Sequence, residues 1–187
     1  MKKRIAVASV VLIAVAFSMA PVVEGASSTG RNNVIWLDDS SAVKGAFSRL
    51  WRNDDGVAMR LKSRKLPMGT YTVWWVFWDN PENCATPLEC GSDDFGSAEA
   101  GSDVTFATGH IIASPKGRFK AAAGLSKGAA GLLGGTFDNP HTAEVHLIVQ
   151  YHGSVDPDAV HLQTQSPPGQ GCNPDCSDLQ GSIHRAN

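Results

Sequence analysis

The run over residues 71–78, Tyr-Thr-Val-Trp-Trp-Val-Phe-Trp, limits the fold more than any other stretch of this chain. Its β-branched and aromatic residues suit a pleated surface, which makes it the clearest strand in the sequence. Residues alternate across a strand. Val73, Trp75 and Phe77 therefore share one face, and Trp74, Val76 and Trp78 share the other. Both faces are apolar. Either the strand lies in a sheet covered on both sides, or one face is an aromatic platform that could stack on sugar rings or apolar ligands.

Residues 143–152 read as a second firm strand. Residues 46–51 and 57–62 flank Arg52-Asn53-Asp54-Asp55-Gly56, and Asp-Gly between two such runs predicts a hairpin. Further strands are expected at 33–37, 104–113, 119–123 and 179–184, with a weak one at 159–164. Residues 81–102 read as a polar loop, and 124–135 as a glycine-rich loop with a brief strand or turn. Past the N-terminus no stretch sustains helical periodicity. About eight short strands at this spacing predict an all-β chain, a single antiparallel β-sandwich with Greek-key-like connections, with a closed barrel second. One internal echo stands out: Phe77-Trp78-Asp79-Asn80-Pro81 and Thr136-Phe137-Asp138-Asn139-Pro140 share aromatic-Asp-Asn-Pro. Turn chemistry accounts for it without a duplication.

Residues 1–26 have the plan of a secretory signal peptide. Lys2, Lys3 and Arg4 precede an apolar core, and small residues follow at Gly25 and Ala26. The folded domain is then residues 27–187, secreted or held in a periplasm or cell envelope, with no membrane span after the leader is removed. Losing Lys2, Lys3, Arg4 and Glu24 takes 16 basic and 18 acidic residues to 13 and 17, a net charge of −4. This mild acidity argues against a nucleic-acid partner. Arg60, Lys62, Arg64 and Lys65 do cluster, at the end of a hairpin, and read as a solvated strand face. The export route allows the four cysteines to oxidise. The favoured pairing is Cys84–Cys90 and Cys172–Cys176, each closing a short proline-containing loop. A four-thiolate zinc site fits the spacing poorly.

Candidate chemistry is sparse. His146 and His152 share a strand face but stand about 20 Å apart, so one metal would need partners from other strands. Ser126 lies in Gly-Leu-Ser-Lys-Gly, the nucleophile-elbow pattern, with Asp156 or Asp158 and His161 or His184 following in hydrolase order. The elbow needs a helix after the serine, and Ala-Ala-Gly-Leu-Leu-Gly-Gly is a poor helix start. Asp93, Asp94 and Asp103 sit in or beside one loop and could bind calcium weakly, without an EF-hand pattern. No glycine fingerprint for a phosphate or dinucleotide is present, and no cofactor is expected.

Four segments carry a resemblance: YTVWWVFWDNPENC at 71–84, the Cys90-Gly91 pair, AEVHLIVQYHG at 143–153 and GCNPDCSDLQGSIH at 171–184. Together they resemble a family of small uncharacterised bacterial secreted proteins, which implies export and no particular activity. Residues 119–125 and Asn139-Pro140-His141-Thr142 are similar to chordin-type domains, extracellular β-sandwich modules; this implies fold and location and transfers no functional residue. The expectation is an exported, non-enzymatic binding or structural module. Its partner, an extracellular glycan or cell-envelope component, is placed at Trp74, Trp78, Asn80 and Glu82 beside the Cys84–Cys90 loop. The alternative is a copper or zinc protein, or a metalloenzyme, using His110, His146, His152 and His184.

Overall fold

A computed structural model describes residues 27–165 and 171–185. The expected signal peptide lies outside the described residues. The chain runs β1 (Ser27–Trp36), β2 (Ala42–Asn53), β3 (Gly56–Ser63), β4 (Gly69–Trp78), β5 (Ser102–Ile112), β6 (Phe119–Ser126), β7 (Ala129–Ala130), β8 (Thr136–Phe137), β9 (Glu144–Tyr151), a short helix α1 (Val160–Gln165) and β10 (Ser177–His184). The fold is all-β and antiparallel, as the sequence predicts.

Eight strands form one continuous sheet in the order β5-β4-β9-β10-β1-β2-β3-β6, and β7 and β8 make a separate ribbon. The sheet curls until its outer strands, β5 and β6, lie side by side. The result is a nearly closed barrel more than two separate layers. Its join between β10 and β1 is short, with the pairs Ile35–Gly181 and Trp36–Gln180. The halves β5-β4-β9-β10 and β1-β2-β3-β6 share one core. Trp75, Phe77 and Leu147 meet Leu50, Met59 and Leu61 inside, all essentially without exposure. Phe137, from the β7–β8 ribbon, plugs one end edge-on to Phe77 at 5.1 Å. The hairpin forms as predicted, with Asn53 opposite Gly56.

The aromatic-Asp-Asn-Pro echo proves to be a contact. The Asp79 carboxylate accepts the backbone N–H groups of Asp138 (2.8 Å) and Asn139 (3.0 Å), and Asn139 Nδ2 donates to Asn80 Oδ1 (3.3 Å). The two turns thus cap one another. Burial raises the Asp79 carboxyl above its ordinary value and outweighs the two accepted hydrogen bonds, which pull the other way.

Residues 159–164, expected as a weak strand, turn instead into α1. Asp156 starts the turn: its carbonyl accepts Ala159 N–H and its Oδ1 accepts Asp158 N–H. Fully buried Gln163 ties the helix down by accepting Asp156 N–H and donating to the Ser154 carbonyl. Local side-chain bonds of this kind compete with a ladder. No described helix is long and apolar enough to cross a membrane.

Candidate functional site

The outer face of β4 and β9 forms the floor of a groove of about 890 Å³. Pairing in register sets Trp74 opposite Ile148, Val76 opposite His146 and Trp78 opposite Glu144. Alternation then turns Val145, Leu147 and Val149 into the core and leaves Glu144, His146, Ile148 and Gln150 outside. One wall is the segment after the Cys84–Cys90 disulfide, with Ser92 and Phe95; another is the 131–135 loop, with Leu132 and Leu133. Phe95, Leu132 and Leu133 are about half exposed, an apolar rim that nothing among the described residues covers.

Each wall has a local cause. Trp78, Cys84, Cys90 and Ala100 make a small second core, so the disulfide loop folds down onto the indole. Asp94 holds that loop by accepting Ala85 N–H (2.6 Å) and Gly91 N–H (2.8 Å). The 131–135 loop is gathered on Asp103, whose carboxylate accepts the N–H groups of Leu133 (2.9 Å), Gly135 (2.6 Å) and Val104 (2.6 Å). Two of the acids considered for calcium therefore spend their oxygens on backbone donors, and Asp93 is exposed.

The groove carries two polar pairs: Gln150 Nε2 donates to Asp178 Oδ1 at 2.9 Å, and Glu144 meets His146. Glu144, 1 % exposed, holds His146 Nε2 at 2.6 Å, and its other oxygen accepts Cys90 N–H at 3.3 Å. The His146 ring lies 4.7 Å from the Trp78 ring. With Nε2 committed to the carboxylate, Nδ1 has no hydrogen-bond partner among the described residues and is left for a ligand. His146 also has no hydroxyl or thiol within hydrogen-bond reach among the described residues.

Trp74 and Trp78, two of the residues expected to bind a ligand, border this groove. They are only 3 % and 2 % exposed, however. Trp74 is packed edge-on to Phe106 at 5.7 Å and donates Nε1–H to Thr72 Oγ1. Their edges border the groove, and no broad indole face is open for a sugar ring. Asn80 and Glu82 do not line it: Asn80 belongs to the turn-on-turn contact, and Glu82 is exposed on the Pro81–Asn83 turn.

The four histidines do not converge. His146 is in the groove. His184, one register step away on β10, points into the barrel. His110 stacks on Phe119 at 4.5 Å near the sheet edge, and burial lowers its pKa. His152 lies just past β9, with Nε2 2.7 Å from Thr72 Oγ1 and Nδ1 3.3 Å from Cys176 Sγ. Among the described residues His152, Cys172 and Cys176 are the one trio with ligand atoms close enough for a metal, within 4.8 Å of one another. Both sulfurs are joined in the expected disulfide, and neither is a thiolate. Ser126 ends β6 opposite Gly56, exposed, and the chain leaves it in a turn toward β7 with no helix.

Sequence reasoning missed the pairing of Glu144 with His146. Its signal was present: the two residues sit two apart on the polar face of an alternating strand, so they had to be neighbours. It also missed a polar file inside the barrel. Ser48 Oγ is 2.7 Å from His184 Nε2, and Asn32 Nδ2 is 3.2 Å from His184 Nδ1. The order Ser–His–Asn imitates a nucleophilic triad, but Ser48 and His184 are wholly unexposed and no substrate reaches them. Compared with known proteins, the chain matches no family model, no curated protein and no solved structure.

Proposed function

We propose that the chain is an exported binding module whose groove takes a small amphipathic molecule. The apolar body would lie along Val76, Ile148 and the tryptophan edges under Leu132 and Phe95. A single donor group would meet His146 Nδ1. The carrying observation is a mostly apolar groove of about 890 Å³ with His146 oriented on its floor by Glu144; small-molecule sites have this size and make-up. Two disulfides support the export reading. The covered indoles favour an apolar envelope component over a stacked glycan at this site.

N-phenyl-1-naphthylamine, an uncharged aromatic with one N–H donor, is a suitable probe. Its fluorescence should rise on titration with the protein. Ile148→Lys places a charge on the floor without entering the core and should weaken binding at least tenfold, while the far-ultraviolet spectrum stays that of a β-protein. Absence of binding by the unsubstituted chain, or equal binding by Ile148→Lys, overturns the reading.

A further inference from the structure

The outer face of the other half of the barrel is strongly basic. Strands β1, β2, β3 and β6 contain no aspartate or glutamate, although the exported domain is net acidic. Register places Arg31 opposite Arg49 and Arg49 opposite Arg60, a rung of three guanidinium groups on adjacent strands. The neighbouring rung sets Lys62 opposite Lys120. Like charges directly opposite destabilise a sheet, yet none of these five cations forms an ion pair with a carboxylate among the described residues. The field is felt locally: Arg64 first, then slight desolvation, Lys120, Arg31 and Arg118 lower the Lys62 pKa.

Three of these cations are also held in place. The Arg31 guanidinium lies 4.0 Å from the centre of the Phe47 ring, with Lys62 Nζ 5.5 Å from the same ring, and Arg60 lies 5.7 Å from that of Trp51. Cation–π contacts of this kind reduce the ordering cost of a long side chain on binding. They also occupy the rings. Single-stranded nucleic acids are held by stacking bases on aromatic faces, and here the protein's own cations cover those faces. An anionic membrane is held by cations beside inserted apolar side chains, and none of the large exposed hydrophobic residues lies on β1, β2, β3 or β6.

From this geometry we propose that the Arg31–Arg49–Arg60 rung, with Lys62 and Lys120, binds a linear acidic polysaccharide whose carboxylates cross the strands. Adjacent strands are about 4.8 Å apart, so the rung lays a row of guanidinium groups across the strands that a linear polyanion can follow. The face is distinct from the groove, and its occupation does not depend on the groove's ligand.

The test titrates the full chain with polygalacturonate at low ionic strength. Fully methyl-esterified polygalacturonate serves as the uncharged control, with single-stranded DNA and phosphatidylglycerol vesicles as competing anions. Binding to polygalacturonate alone is expected, falling as salt rises. Arg49→Glu with Arg60→Glu should weaken it more than tenfold; both side chains are exposed. If that double variant does not fold, Lys62→Gln with Lys120→Gln should weaken binding in the same titration. No binding to polygalacturonate, unchanged binding in a folded variant, or tighter binding to DNA or vesicles overturns the proposal.

Discussion

His184 shows how one side chain decides what a barrel interior tolerates. Burial, then the nearby Arg52 charge and then His146, lower its pKa to about 4. Arg52 is itself 2 % exposed; burial alone brings its pKa to about 10, and it spends its guanidinium on the carbonyls of Pro140 (2.7 Å) and His184 (3.1 Å). A second positive charge has no place beside it, so the folded chain keeps His184 neutral against Ser48. An unfolded histidine takes its proton near pH 6.5. Between pH 6.5 and 4 the unfolded chain thus binds more protons than the folded one, and stability rises with pH across that window. As pH falls through it, up to about 3 kcal/mol of stability is lost, and below pH 4 this group contributes no further change. Denaturant unfolding at stepped pH checks this. His184→Gln, which cannot titrate, should flatten the slope relative to the unsubstituted chain; equal slopes would remove His184 as the cause.

Among the elements, the 131–135 loop matters because it carries a groove wall without belonging to the sheet. Its hold is the Asp103 carboxylate, and its approach is close: a Cβ on Gly131 would stand 2.0 Å from Asp103 Cγ. Gly131→Ala must lift the loop, taking Leu132 and Leu133 off the groove while the strands remain paired. Affinity for N-phenyl-1-naphthylamine should fall severalfold, with unfolding free energy reduced by only about 1–3 kcal/mol for the lost bonds to the carboxylate. Unchanged affinity would mean that the wall plays no part in binding. The strands themselves were legible in the sequence, because alternation and β-branched content act locally. The hairpin was legible through Asp55-Gly56, and both disulfides through their short loops. The groove was legible only in part. Trp74 and Trp78 were found by the face they share, but what buries them is Phe106 for one and the cluster of Cys84, Cys90 and Ala100 for the other, and no local pattern announces which loop folds over which face. Residues 159–164 misled for a related reason: the helix rests on Asp156 and Gln163 reaching across it, not on periodicity.

For the molecule as a whole, the decisive feature is that the barrel does not close by hydrogen bonds. Strands β5 and β6 end the sheet order and have no ladder between them. Side chains close the seam instead. Phe119 stacks on His110 from β5 and lies 6.2 Å from Tyr71 on β4, buried to 8 % exposure. Removing that ring leaves a void between two unpaired strand edges. Phe119→Ala should lower stability by about 3–5 kcal/mol, whereas Phe119→Leu, which keeps most of the volume, should cost under about 1.5 kcal/mol. The two variants should also differ in association. Opened edges present free N–H and C=O groups that pair with another chain, so Phe119→Ala should show concentration-dependent light scattering and Phe119→Leu should not. The unfolding transition should stay single in both, since one core spans both halves of the sheet. If Phe119→Ala matched Phe119→Leu in stability and in scattering, the seam would be held by something other than this ring, and the near-barrel would owe its shape to the curl of the sheet alone.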